Sequence, residues 1–187
     1  MGGIMNLTDL AKPFPADDIE WRIAQCGLKA DGEPWAKALA YITARAIHDR
    51  LDAVCGPANW QLKYKEHLGE TVCSIGIKTL SGNLDEKSEW VWKEGGADKT
   101  QIEAFKGGLS GSEKRAGVPW GIGRYLYKLT EAFAICQLCI DGNKDLRYKK
   151  DWHWAKGQSK DKTKKWQYYW QTPELPEWAL PKTTTSK

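Results

Sequence analysis

Residues 99–128 constrain the fold of this chain more than any other stretch of its sequence. Their apolar side chains recur at intervals of three, four and seven residues, which places them on one face of a helix. These side chains are Ile102, Phe105, Leu109 and Ala116. The basic residues Lys106, Lys114 and Arg115 lie off that face. The spacing therefore predicts a long amphipathic helix with a basic side.

Four glycines interrupt this helical pattern, and each costs about 1 kcal/mol relative to alanine in an exposed helix interior. They are Gly107, Gly108, Gly111 and Gly117. One interpretation is two short helices joined by a glycine loop. The other is that a second backbone or a ligand approaches the helix too closely to allow a Cβ atom. Pro119 then ends or kinks the helix, because proline cannot continue the helical hydrogen bonding.

Two kinds of nucleotide site do not fit this stretch. A P-loop requires a lysine directly after its last glycine, whereas Ser112 and Glu113 follow Gly111 here, so ATP hydrolysis is not expected. The Gly121-Ile122-Gly123 run is only a fragment of a dinucleotide fingerprint, and it follows a proline-broken helix instead of a strand.

Three segments resemble the signature of the Rad52/Rad22 superfamily of single-strand annealing proteins, especially its short phage and prophage recombinases. They are EAFKGGLS at 103–110, KRA at 114–116 and WGIGRYLY at 120–127. The resemblance weakens to a pattern over residues 35–95. The sequence departs from the family at Ser112 and Glu113, where a small and a large apolar residue are usual. It departs again at Gly117 and Pro119, where helix formers are usual.

The resemblance implies an α+β fold, in which a helix is followed by a three-stranded antiparallel sheet packed on the long basic helix. It also implies a multi-subunit ring with single-stranded DNA in a groove around it. Annealing needs no bond-making chemistry, cofactor or ATP, only a surface that holds phosphates and keeps bases exposed for pairing. The expected partners are single-stranded DNA, other copies of the chain and a single-strand-binding protein.

The DNA-binding residues follow from matching positions in the resemblance. Lys114 and Arg115 are expected to contact phosphates in the inner groove, supported by Lys106 on the same helix. Arg124 is added after the helix, and Arg45 on the helix before the sheet, although Arg45 can equally be a solvated side chain. A secondary DNA contact is expected to comprise Lys63, Lys65 and Lys99. For the strand residues Lys63 and Lys65, the alternative is that they are solvated lysines that protect a sheet edge. Tyr125 and Tyr127 are expected either to stack on bases or to pack within the protein.

Charge distribution supports a nucleic-acid partner better than the net charge of +4 does. Residues 91–128 hold seven basic and four acidic side chains, and residues 144–165 hold nine basic and three acidic ones. Basic residues interleaved with aromatics are typical of a groove that follows a single strand. The chain also has eleven tryptophans, concentrated near its C-terminus, which either stack on bases, cover a neighbouring subunit or pack on one another.

Periodicity and turn signals predict the remaining elements. Helices are expected at 19–27, 35–55 and 129–140, and strands at 60–67, 71–80 and 88–93. A tryptophan-rich hairpin is expected to pair Trp152 and Trp154 with Trp166, Tyr168, Tyr169 and Trp170 across the polar loop 157–165. The apolar face of the middle strand should pack on the basic helix. The predicted domains are an annealing core at 1–140, a basic hairpin with a proline-rich strap at 141–181, and a disordered tail at 182–187.

The sequence also bears on the location of the protein and on two other kinds of site. Five scattered cysteines, no stretch of twenty apolar residues and no signal peptide favour the cytoplasm or nucleoid of a bacterial host. Cys136-x-x-Cys139 fits either buried thiols or zinc, but zinc would need two further ligands. A metal-dependent nuclease would use acidic residues without a recognisable metal-site spacing: Asp85, Glu86, Glu89, Asp98 and Glu103. A passive single-strand or RNA-binding module without annealing activity is the other alternative.

Overall fold

The computed structural model describes residues 5–80, 88–97, 104–129, 132–159 and 161–182. These residues form an α+β fold, which confirms the predicted class. The strands are β1 Ile19–Leu28, β2 Pro34–Ile42, β3 Trp60–His67, β4 Glu70–Leu80, β5 Ser88–Ala97, β6 Ala132–Leu138, β7 Trp152–Gln158 and β8 Lys165–Gln171. The helices are α1 Ala44–Cys55 and α2 Ala104–Gly117. Short 3-10 segments occupy Leu7–Ala11, Ala16–Asp18, Val118–Trp120, Arg124–Lys128, Asp141–Tyr148 and Glu177–Ala179.

Contacts divide the chain into two compact units. The first comprises Met1–Ile19, Ile42–Lys128 and Trp178–Lys187, and the second comprises Glu20–Tyr41 and Leu129–Glu177. This division does not fall at residue 140, and the predicted domain boundary there stays a prediction. The expected disordered tail lies outside the described residues except for Lys182.

The first unit contains α1, an antiparallel sheet in the order β3-β4-β5, and α2, in the chain order expected. β3 matches the predicted strand at both ends. Along β4, Cys73, Ile75 and Ile77 are fully buried, because the face that they share is the one covered by α2. The apolar face of the middle strand thus packs on the helix, as its alternation indicated.

The N-terminal part of the chain corrects two predicted helices. Residues 19–27 form strand β1, whose apolar side chains Ile19, Trp21 and Ile23 repeat with the period of two that a strand requires. The predicted helix at 35–55 is a strand followed by a helix. β2 buries Pro34, Ala36 and Ala38 in alternation, and α1 begins only after Thr43.

Helix α1 begins at this point because Thr43 is an effective N-cap. The Thr43 side-chain oxygen accepts a hydrogen bond from the Ala46 backbone N–H at 3.0 Å, which satisfies one of the free donors of the first turn. The helix ends at Gly56, whose φ of 81° suits glycine.

The predicted apolar helix at 129–140 is also wrong, because strand β6 occupies this region. A continuous apolar run does not distinguish a helix from a strand. In β6 the side chains of Ala134 and Cys136 pack against the core of the second unit, whereas Phe133 and Ile135 are 63% and 62% exposed on the other face.

The second unit is a five-stranded sheet in the order β1-β2-β6-β8-β7. The predicted hairpin is present as β7 and β8, which pair antiparallel from Trp152 opposite Gln171 to Gln158 opposite Lys165. Two aromatic side chains of β8, Tyr168 and Trp170, pack in a buried cluster with Ala36 and Ala38. In the described part of the chain, no helix has both the length and the apolar character needed to cross a membrane.

Candidate nucleic-acid interface

Helix α2 lies directly on the three-stranded sheet because two of its glycines face that sheet. A Cβ atom on Gly108 would stand 3.0 Å from Thr71 Oγ1, and one on Gly111 would stand 2.9 Å from Ala97 Cβ. Real Cβ atoms rarely approach so closely. Residues 104–117 form one continuous helix, so close packing, and not a glycine loop between two helices, explains these glycines.

A glycine on the sheet brings the last turn of α2 equally close. A Cβ atom on Gly95 of β5 would stand 2.3 Å from the backbone nitrogen of Ala116 and 2.4 Å from the carbonyl carbon of Arg115. Backbone therefore packs on backbone at the predicted phosphate contact. This fixes the position of Arg115 relative to the sheet.

The basic pair occupies the C-terminal turn of α2. Lys114 is partly exposed and Arg115 is exposed, and cations are favoured at this end of a helix because they interact with its negative partial charge. The helix ends at Gly117 and gives way to the 3-10 segment that contains Pro119. Pro119 therefore ends the helix after the basic pair and leaves that pair helical.

Glu113 anchors the same turn from inside the first unit. Its carboxylate is buried, with Oε2 2.9 Å from His48 Nε2 of α1 and Oε1 accepting a 2.7 Å hydrogen bond from the Tyr64 hydroxyl of β3. A buried carboxylate is stable only when it is hydrogen-bonded in this way. The departure from the apolar family pattern at Glu113 thus replaces apolar packing with a polar link between three elements.

Neighbouring groups respond to this buried carboxylate. Burial raises the pKa of the Tyr64 hydroxyl, and its hydrogen bond to Glu113 raises it further, so the hydroxyl remains a donor. Burial, with a contribution from Glu113, raises the pKa of the Cys73 thiol to about 12. Ser112 is also buried, and its hydroxyl donates to the Leu109 carbonyl at 2.8 Å, so the second unusual polar residue is satisfied as well.

Lys93 is a further cation beside the segment that follows α2, and the sequence analysis did not assign it to the candidate site. Its Nζ donates to the Pro119 carbonyl at 3.0 Å and lies 4.2 Å from the centroid of the Trp120 ring. The Trp120 indole N–H donates in turn to the Ile75 carbonyl at 3.1 Å. The alternation of side chains along the strands could have indicated this position, because Lys93 lies opposite Ile75 on the face of the sheet that α2 covers.

The structure places the other predicted inner-groove residues as follows. Lys106 lies near the start of α2. Arg45 is exposed on α1, three residues before His48 and so on the same side of that helix. Arg124 is exposed at the start of its 3-10 segment. These cations come from different elements of the first unit, with Lys106, Lys114 and Arg115 on one helix.

The two tyrosines after α2 differ. The Tyr125 hydroxyl accepts a 2.9 Å hydrogen bond from the Phe14 backbone N–H, so Tyr125 packs against the N-terminal segment. Burial raises the pKa of Tyr125. The Tyr127 side chain is 72% exposed.

The predicted secondary contact lies on the opposite face of the same sheet. Lys63 pairs in register with Ser74, one position from the Tyr64 and Cys73 pair that faces α2. Its Nζ lies 3.9 Å from the centroid of the Trp92 ring. Lys65, on the same face, forms a 2.9 Å ion pair with Glu94. Lys99 lies outside the described residues.

In the described part of the chain, the residues considered for metal binding do not lie together. Cys136 packs against the buried cluster of the second unit, whereas Cys139 lines a pocket with Trp154 and Tyr169. Across residues 5–80, 88–97, 104–129, 132–159 and 161–182, no three His, Cys, Asp or Glu side chains are placed to hold a metal ion. Of the carboxylates considered for a nuclease, Glu89 is described and four lie outside the described residues: Asp85, Glu86, Asp98 and Glu103.

Comparison with known proteins decides the family. The sequence profile of the Rad52/22 family of double-strand break repair proteins matches residues 6–145. The chain belongs to this family. The resemblance inferred from the motifs around α2 is therefore confirmed, and this Rad52/22 family chain is a DNA repair protein.

Two relatives extend the match of this Rad52/22 family chain beyond residue 145. Both are named single-stranded DNA-binding protein DdrA, one from Deinococcus radiodurans and one from Deinococcus deserti. The first is 33% identical over 181 residues, covering 95% of this chain and 70% of the relative. The second is 31% identical over 181 residues, covering 95% and 73%. No solved structure matches the chain significantly.

Proposed function

We propose that this chain binds single-stranded DNA and anneals complementary strands without ATP during recombination and double-strand break repair. Its family membership and its two single-stranded DNA-binding relatives support the proposal. The observation that carries it is the adjacent pair Lys114 and Arg115, held on a helical turn whose backbone packs against Gly95.

Annealing follows from electrostatics at such a surface. Cations hold the phosphates of one strand and reduce its repulsion toward a second, while the bases stay available for pairing. Four phosphate contacts per protomer, from Lys106, Lys114, Arg115 and Arg124, would give a log–log salt slope of about −2.8, at roughly −0.7 per contact. Arg45 is proposed to extend this inner set from α1.

The proposal includes a homo-oligomeric ring, so that the inner sets of successive protomers form one continuous groove. Lys63, Lys65 and Lys99 are proposed as a secondary DNA contact. A bacterial host, a phage or prophage origin, and cooperation with a single-strand-binding protein also remain proposals. DNA repair in such a host would take place in the cytoplasm.

A passive single-strand-binding protein is the second candidate, and the names of both relatives favour it. The two functions differ in one property. An annealing protein makes complementary strands pair faster than they pair alone, whereas a passive coat protects single strands and leaves pairing unchanged or slower.

The deciding experiment is fluorescence-monitored annealing of complementary oligonucleotides without ATP, with sizing of the protein in the same buffer. We expect acceleration by an oligomer, and loss of acceleration in the Lys114→Ala, Arg115→Ala double variant with its size unchanged. The matched control is Lys12→Ala with Lys29→Ala, because these exposed lysines pair with Asp9 and Glu33 and belong to none of the proposed DNA contacts.

Each other outcome of this experiment has a definite meaning. Tight binding of single strands without acceleration would favour the passive protein. Normal annealing by a folded Lys114→Ala, Arg115→Ala variant would remove the basic pair from the mechanism.

A further inference from the structure

A concave pocket of about 690 Å³ lies in the second unit. One wall is aromatic, formed by Trp154 of β7 and Tyr169 of β8, and its rim carries Lys144 and Arg147 from the 3-10 segment Asp141–Tyr148. We propose that this pocket binds one nucleotide of a DNA single strand, with its base against Trp154 and its phosphate at Arg147 and Lys144. This inference rests on the proposed function, but it concerns a site separate from α2.

The aromatic wall is preformed by the pairing of the hairpin. Trp154 and Tyr169 are directly opposite each other across β7 and β8, so their side chains share one face of the sheet. Tyr169 is buried, whereas Trp154 is 47% exposed. A tryptophan ring that is fixed by its strand and left open to solvent can stack on any base, because every base has a π face.

The rim supplies the charge that a phosphate requires. The Arg147 guanidinium lies 4.5 Å from the centroid of the Tyr148 ring and donates a hydrogen bond to the Tyr148 hydroxyl. The planar guanidinium has further N–H donors, which can recognise a phosphate in a bidentate manner. Lys144 forms a 2.7 Å ion pair with Asp141 between largely exposed side chains. Such surface pairs are weak, so Lys144 can exchange the carboxylate for a phosphate.

Rim and wall are close enough to interact electrostatically. Burial raises the pKa of the Tyr169 hydroxyl, and the cations of Arg147 and Lys144 partly offset this effect. Lys156 adds a further cation, with its Nζ 5.1 Å from the centroid of the Trp154 ring. The pocket thus joins a stacking surface to positive charge, as single-strand sites do.

The geometry also assigns the pocket a role distinct from that of the annealing surface. Gln167, with its amide donors and acceptor, lines the same pocket, so a base that enters can be hydrogen-bonded through its edge. A base held in this way is unavailable for pairing. The pocket therefore anchors an unpaired nucleotide and leaves the paired tract to the surface around α2.

Crosslinking of the full chain to oligothymidylate that carries a single 5-iodouracil tests the pocket. The sample is irradiated at saturating protein and the crosslinked peptides are mapped. We expect crosslinks at Trp154 or Tyr169. Their yield should fall about tenfold in Trp154→Leu and be retained in Trp154→Phe. Trp178→Leu is the matched control, because Trp178 is similarly exposed at 53% and lies outside the pocket.

Binding measurements give an independent readout. Trp154→Leu should weaken oligonucleotide affinity about tenfold, in keeping with the loss of one stacked base, and Arg147→Gln should lower the magnitude of the salt slope by roughly 0.7. Trp154→Phe and Trp154→Leu both keep an apolar side chain at this position, so a difference in DNA binding between the two variants reports on the aromatic ring.

The outcomes separate this inference from the proposed function. Crosslinks confined to peptides of α2, or unchanged by Trp154→Leu, would overturn the pocket while annealing stands. A change of oligomer size in Trp154→Leu with unchanged DNA binding would also overturn it, since the pocket would then be a contact between copies. Crosslinks at Trp154 in a protein that does not accelerate annealing would support the pocket and count against the proposed annealing function.

Discussion

Gly95 of β5 lies against the backbone of Arg115, and a Cβ atom added to it would stand 2.4 Å from the Arg115 carbonyl carbon. The contact joins the proposed phosphate-binding turn of α2 directly to the sheet. A backbone cannot move aside as a flexible side chain can, so the position of the basic pair depends on the absence of one methyl group.

Replacing this glycine should therefore affect stability and DNA binding together. We expect Gly95→Ala to lower the free energy of unfolding by about 1–3 kcal/mol, the usual cost of overpacking, and to weaken single-strand binding because the last turn of α2 must shift. Gly96→Ala is the matched control, since its Cβ would lie 3.6 Å from Val72 Cγ2, an ordinary contact. Urea unfolding and fluorescence anisotropy measure the two effects, and equal behaviour of the two variants would contradict the prediction.

The close packing of Gly111 against Ala97 can be tested with a pair of compensating substitutions. Alanine would improve helix propensity by about 1 kcal/mol, but its Cβ would lie 2.9 Å from Ala97 Cβ, so we expect Gly111→Ala to destabilise the protein. Ala97→Gly opens the space that the new methyl group needs. The double variant should then be more stable than the two single effects predict, with a coupling of at least about 0.5 kcal/mol. Strict additivity in urea titrations would show that the two positions do not compete for space.

Because Glu113 is buried, removing one hydroxyl group from β3 should lower the stability of the protein. Tyr64→Phe removes the hydroxyl that donates to Glu113 at 2.7 Å and leaves the carboxylate short of one partner. We expect a loss of about 1–3 kcal/mol in the free energy of unfolding, the cost of an unsatisfied buried group. Tyr127→Phe removes an equivalent hydroxyl from a ring that is 72% exposed and should stay within about 0.5 kcal/mol of wild type. Comparable losses in both variants would argue against a special role for the Glu113 contact.

The elements that the sequence predicted well are those whose signals are local. Turn residues bound β3 and β4, and apolar alternation fills them, so these two strands could be predicted from a window of about ten residues. β5 was predicted only as far as Lys93 and continues to Ala97. The end of α2 was also predictable, because Gly117 and Pro119 act on the backbone in their immediate vicinity.

The second sheet was not predictable in this way, because its pairing is non-local. β2 pairs with β6, with Ala36 opposite Ala134, and nothing near either residue indicates that partner. Alanine favours helices in isolation, so the alanine-rich β2 fitted a helix until the sheet determined otherwise. Tertiary context outweighs propensity at such positions.

The candidate site shows the same division between local and non-local signals. Motif positions led to Lys114 and Arg115, but Lys93 was missed because its contact with Pro119 joins residues that are 26 apart in sequence. The pocket in the second unit was missed because its rim comes from the 3-10 segment around Arg147 and its wall from the hairpin strands. Charge and aromatic content indicated the C-terminal region, but only the fold brings the basic 3-10 segment and the aromatic hairpin together.

We expect the buried Cys73 thiol to make the first unit sensitive to alkaline pH. Burial, assisted by Glu113, raises its pKa from an ordinary 9.0 to about 12 in the folded protein. Between these values the unfolded chain has lost the thiol proton and the folded chain has kept it, so the free energy of unfolding falls as pH rises. Below pH 9 both states are protonated and the contribution is fully present. We expect the urea midpoint of the wild type to fall from pH 9 to pH 11 more steeply than that of Cys73→Ala, which lacks the titrating group. Parallel pH profiles for the two proteins would show that Cys73 does not govern this loss, whatever the difference in their absolute stabilities.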